Sequence, residues 1–152
     1  MRKSLLSLAL FIILALAAAA PSLANSPSPL YFDWSAGAST YAAGLNSFGL
    51  LVGVSDPDSR WPLYLDADFE YGDGVRTANL GLVLRAPGRI IIFKPYVGAG
   101  LVYNLDDWYP AWRTAPYVLA GAELLWFFWE NAAIFTPYAV ENTVRAGVRV
   151  GF

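Results

Sequence analysis

The chain has 152 residues, 57% of them hydrophobic and 16% aromatic, with a formal net charge of −2. It has no cysteine and no histidine, which excludes a disulfide framework, an acylated cysteine, a thiolate metal site and histidine-based catalysis. The charge argues against nucleic acid as a partner, and so apolar a small domain would expose much of its apolar surface in water.

Met1-Arg2-Lys3 is a short basic segment, and Leu5 to Ala20 is apolar apart from Ser7. Pro21 ends the run, and Ser22-Leu23-Ala24 supplies small residues around a cleavage point. Residues 1–24 therefore read as a cleaved secretory signal peptide. The run is too short for a spanning helix, which needs about 20 apolar residues. Residues 25–29 read as a flexible leader, and 30–152 as the folded unit.

Alternation with a period of two follows, broken by turn signals. It predicts eight strands: 30–40, 47–55, 63–71, 75–85, 90–103, 116–128, 132–140 and 143–152. The expected turns include 56–59, 72–74, 86–89, the pair Glu130-Asn131 and the pair Glu141-Asn142, with 104–115 as the longest loop. Pro137 falls inside the seventh strand, where it would cost a ladder hydrogen bond, so an irregularity is expected there.

Successive side chains of a strand point to opposite faces. One face of these strands is Leu, Val, Phe, Ala and Trp. The other carries full charges among Tyr, Ser, Thr and Gly. The apolar set is too bulky for a small barrel interior, whereas the polar set alternates small and large residues as a narrow bore requires. Apolar outside and polar inside is the pattern of a transmembrane β-barrel. The fold class is all-β: an eight-stranded antiparallel up-and-down transmembrane β-barrel. Charges turned inward must be paired. The expected interior network is Asp33, Asp66, Asp68, Glu70 and Glu123 with Arg85, Lys94, Arg145 and Arg149, joined by Tyr31, Tyr64, Tyr96 and Tyr117. Closure would bring Asp33 to Arg145 or Arg149. Aromatics near strand ends, among them Trp34, Phe128 and Phe152 at one rim and Tyr71, Tyr103 and Trp112 at the other, suggest two girdles.

A signal peptide, eight alternating strands and a final Phe together resemble the small bacterial outer-membrane β-barrels, the OmpA/OmpX-like group. The resemblance implies that the last strand, through Val144, Val148, Val150 and Phe152, is the signal read by the barrel-assembly machinery. It also implies both termini in the periplasm, with 41–46, 72–74, 104–115 and 141–142 facing outward. The expected partners are outer-membrane lipids and lipopolysaccharide. A monomer is expected.

Enzymes of this architecture use a catalytic histidine, which is lacking here. A Ser-Lys arrangement through Lys94 is weaker than Lys94 as an ion-pair member. No catalytic, cofactor or metal site is expected. The reading is an integral outer-membrane barrel with a structural, membrane-anchored role and a bore filled by polar side chains. A narrow pore, or transport of a small apolar molecule, is the alternative. The second alternative is surface binding through loop 104–115, by Asp106, Asp107, Trp108, Tyr109, Trp112 and Arg113.

Overall fold

The computed structural model describes residues 29–40, 42–55, 61–72, 74–86, 93–106 and 112–152. The predicted signal peptide, the turn at 56–59 and residues 87–92 lie outside the described residues. Eight strands close into one antiparallel barrel in sequence order: β1 (Leu30–Ser39), β2 (Leu45–Gly53), β3 (Leu63–Gly72), β4 (Val75–Arg85), β5 (Phe93–Asn104), β6 (Thr114–Leu124), β7 (Phe127–Phe135) and β8 (Val140–Gly151). β1 pairs with β8, so Asp33 faces Arg149 and Gly37 faces Arg145. No sheet edge remains open, which is the only way a sheet satisfies its backbone without water.

The register fixes the tilt. The row Leu30–Val52–Leu65–Leu82–Ala99–Val118–Ala133–Asn142 winds once round the barrel. It meets β1 again at Thr40, whose amide donates to the Asn142 carbonyl at 3.0 Å. The stagger from Leu30 to Thr40 corresponds to strands inclined by roughly 40°.

Side chains alternate as the sequence demands. Phe32, Phe48, Leu80, Leu82, Val97, Val118 and Val144 are exposed on the outer wall. Tyr31, Leu51, Tyr64, Val83, Tyr96, Tyr117, Leu119 and Phe128 are buried in the bore with the charges.

The last third of the chain differs from the sequence expectation. Glu130 and Asn131 are not a turn; they lie in the middle of β7. The β6–β7 turn is at Leu125-Trp126, and the β7–β8 turn spans Thr136–Ala139. Pro137 therefore sits in a turn, where its fixed φ is useful, and no strand irregularity is needed. The Thr136 hydroxyl accepts from the Ala139 amide at 3.1 Å and donates to the Ala139 carbonyl at 2.8 Å. Tyr138 is exposed in this turn. Phe128, expected at a rim, points into the bore. The first turn escaped the sequence signals because Leu125 occupies a left-handed conformation, φ 59°, that hairpins normally give to Gly or Asn.

A β-carbon at that φ is strained. Leu125→Gly should raise the stability of the folded barrel by about 1 kcal/mol, read from urea-unfolding midpoints in lipid vesicles. An unchanged or lower midpoint would contradict the strain.

Candidate functional site

The polar residues of the bore form two linked clusters. The first is built round Arg145 on β8. Its Nη2 donates to Asp68 Oδ2 at 2.8 Å and its Nη1 to Glu70 Oε1 at 2.8 Å, both across the bore on β3. Its Nε reaches Glu130 Oε1 on β7 at 2.7 Å, and Nη2 contacts the same oxygen. The β1 neighbour of Arg145 is Gly37, which has no side chain to block the reach. Glu70 also accepts from Thr77 at 3.0 Å, and Glu130 from the Tyr96 hydroxyl at 3.0 Å. All four charged members are buried.

The second cluster lies nearer the chain termini. Arg149 donates from Nε and Nη2 to Asp33 Oδ2, at 3.0 and 2.7 Å. Its guanidinium also stands 4.4 Å from the Phe128 ring centre and 5.1 Å from that of Tyr96. Arg85 is ion-paired to Glu123 and lies over Tyr31, 4.1 Å from the ring centre. Tyr31 and Tyr64 meet edge to face at 5.6 Å. Such cation–ring contacts gain strength where water is excluded. Lys94 sits at the mouth, 21% exposed, 4.0 Å from Glu123.

Glycines make room for these groups. A Cβ at Gly49 would collide with the Asp33 and Asp68 carboxylates, and one at Gly121 would collide with the Tyr96 ring. Tyr117 likewise occupies the space over Gly81. An interior cavity of about 10 Å³, lined by Asn79, Tyr117, Thr143 and Arg145 among others, is about the size of one water. Among the described residues, Asn79 Oδ1 and Thr143 Oγ1 have no hydrogen-bond partner there.

Eight of the nine predicted interior charges have an ion-pair partner: Asp33, Asp68, Glu70, Arg85, Lys94, Glu123, Arg145 and Arg149. The Asp33–Arg149 contact across the β1–β8 seam is one of the two options the sequence offered. Asp66 departs from expectation. It is 4% exposed, and its Oδ1 has no hydrogen-bond partner among the described residues. The sequence reading missed Glu130, because it placed the turn there. Its signal was available: Phe127, Trp129, Asn131, Ala133 and Phe135 alternate with it on one strand. With Glu130 added, six carboxylates face Arg85, Arg145, Arg149 and Lys94, so the charges do not balance as evenly as expected.

No protein-family model matches the sequence, and a comparison with curated proteins likewise finds no match. Solved structures do match. The N-terminal β-barrel domain of Pseudomonas aeruginosa OprF aligns with a TM-score of 0.58 and 18% identity, covering 82% of this chain and 98% of that one. The fold is that of the small outer-membrane β-barrels. The outer-membrane enzyme PagL aligns with a TM-score of 0.52 and 13% identity, over 80% of this chain and 99% of its own. The de novo designed protein TMB2.3 gives 0.58 and 16%, over 84% and 97%.

The predicted binding loop is only partly described. Asp107, Trp108 and Tyr109 lie outside the described residues. Trp112 is 3% exposed, turned into the barrel mouth, so it offers nothing to a surface ligand or an outer rim. Its carbonyl accepts from Asn104 Nδ2 at 3.2 Å. Arg113 is exposed. Asp106 is held by Arg76, whose Nη2 and Nε donate to Oδ1 at 2.7 and 3.0 Å. Val144 on β8 and Phe152 just past its end are exposed on the outer wall, and Phe152 packs edge to face on Phe32 at 5.8 Å.

Two outcomes follow from this geometry. Arg145→Met would strand three buried carboxylates and should cost about 3–5 kcal/mol, with Glu130→Gln in that background recovering part of the loss. Urea unfolding from vesicles measures both, and a loss below about 1 kcal/mol would contradict the hub. At the loop, hydrogen bonds from Arg76 hold the Asp106 carboxyl below its ordinary value. A depressed folded value means the contact stabilises above the unfolded pKa of about 3.9 and is lost as pH falls through the folded one. An NMR carboxyl titration should place Asp106 below the usual range, and Arg76→Leu should raise it part of the way back, since the residue 76 backbone amide still donates to Oδ2.

Proposed function

We propose that this protein is an integral outer-membrane barrel with a structural, membrane-anchored role, and that its bore is sealed by its own side chains. The observation that carries this is the inversion of the two faces. Phe32, Phe48, Phe69, Leu80, Val97 and Val118 are exposed, while Asp68, Glu70, Glu130 and Arg145 are buried. That arrangement is unfavourable in water and suits a hydrocarbon surround. The outer wall is banded by Tyr71, Tyr103 and Phe135 at the loop end and by Phe93, Phe127 and Phe152 at the terminal end, consistent with aromatic girdles. The family fold supports termini on the periplasmic side, and Val144, Val148, Val150 and Phe152 as the outer-wall signal for assembly.

The sealed bore is the reading favoured over a pore. Tyr31, Tyr64, Tyr96 and Phe128 crowd the terminal half, and Val102, Ala115, Ile134 and Trp112 the loop half. The guanidinium–carboxylate clusters lie between them. Ion passage would require breaking buried pairs. Catalysis is not part of the proposal: the sequence has no histidine or cysteine, and Lys94 is engaged with Glu123 at the mouth.

Refolded into lipid vesicles, the protein should show a heat-modifiable gel shift. Incorporated into planar bilayers, it should give no steady unit conductance. Regular conductance steps from the folded form would overturn the sealed bore, and absence of any shift would overturn the membrane barrel.

A further inference from the structure

On the outer wall, among the described residues, polar side chains cluster at the loop end. Asn46, Arg76, Thr114 and Asn142 each lie within the first three residues of their strands. Asn131 is different. It is the central residue of β7, four positions from either end, and it is exposed on the outer wall. The stagger of the strands puts this centre at mid-height of the barrel. If the wall faces hydrocarbon, as proposed above, Asn131 is as far from water as an outer-wall residue can be. Its side chain has no hydrogen-bond partner among the described residues. The backbone of its neighbours is already paired, since Asn131 lies in register with Ala120 on β6 and Val144 on β8. A carboxamide there has two donors and an acceptor that lipid tails cannot satisfy.

Ala120 on β6 and Val144 on β8 flank Asn131, Ala133 and Trp129 are its same-face neighbours along β7, Ala146 lies diagonally on β8, and Ala36 lies in register with Ala146. Trp129 has its ring against Phe93, centroids 5.4 Å apart, on the side away from β8. The opposite wall carries Phe48, Phe69 and Leu80 at similar height. Small residues let two walls approach closely in a bilayer, where hydrogen bonding across the contact adds to packing.

We infer that the β6–β8 wall is the interface of a homodimer in the membrane, with Asn131 of each copy hydrogen-bonded to Asn131 of the other. Two copies in one bilayer share an orientation, so they are related by a two-fold axis along the membrane normal. Such an axis makes the contact self-complementary. A carboxamide both donates and accepts, so the same residue satisfies itself across the axis. Inclined strands from the two copies cross steeply, so the contact is narrow and centred on the pair. A second copy is favoured over another protein because the patch carries no charge to be met and its one polar group is its own complement.

The test uses the full barrel in lipid vesicles. The chain lacks cysteine, so Ala120→Cys, beside Asn131 on the same wall, introduces a single thiol and keeps the carboxamide. Mild oxidation should give a disulfide-linked dimer in high yield, and Leu80→Cys on the opposite wall should give little. Donor–acceptor energy transfer between labelled wild-type copies should report dimers, and Asn131→Leu should weaken association by about tenfold or more. Asn131→Leu should keep the heat-modifiable shift, which separates lost association from a lost barrel. Equal cross-linking at both positions, a wild type that stays monomeric as lipid is diluted out, or an unchanged Asn131→Leu would each overturn the dimer. Loss of the shift in the wild type would instead overturn the membrane reading.

Discussion

Arg145 is the group on which the interior depends. One guanidinium, buried on β8, holds a carboxylate on the adjacent β7 and two more across the bore on β3. A planar fork with five donors can do this; a lysine could not reach three carboxylates in fixed directions. The reach requires Gly37 beside it on β1 and Gly49 under the Asp33 and Asp68 carboxylates. The pattern of glycines and charges is therefore one feature, since each large polar group fills space that a neighbouring strand gives up.

Hydrogen bonding explains why the charges are tolerable. A buried ion is costly alone and less so when every donor and acceptor is met. Arg145 approaches that state. Arg149 and Arg85 make up part of the deficit with aromatic faces, those of Phe128, Tyr96, Tyr31 and Tyr64. Asp66 does not reach it, and neither do Arg149 Nη1 and Arg85 Nε. The interior is thus crowded throughout, its charged clusters set among buried aromatic and aliphatic side chains, and the ion pairs of Arg145 tie β8 to β3 across the bore.

The period of the sequence made most of this legible. Strand count, the inside and outside faces, and eight paired interior charges all follow from alternation, because a one-residue slip would move every side chain to the wrong face. The turn between β6 and β7 was not legible. Leu125 and Trp126 carry none of the usual turn chemistry, and a run of aromatics hides the reversal. Placing that turn at Glu130-Asn131 removed Glu130 from the network and Asn131 from the wall. The burial of Trp112 was also not legible, because a loop aromatic can face out or fold back over a barrel mouth, and only the surrounding strands decide which.

The outer-membrane fold places this chain among barrels that share architecture across very low identity. Fold of that kind fixes an environment more firmly than a role. The central claim is accordingly physical: the charged face encloses the bore and the apolar face meets lipid. Spin labels placed in turn at 143 to 150 along β8, with oxygen and a water-soluble relaxer as probes, test it most directly. Labels at 144, 146 and 148 should be oxygen-accessible and shielded from the aqueous probe, and those at 143, 145 and 147 should be shielded from oxygen. Reversed parity, or no alternation along β8, would contradict the account.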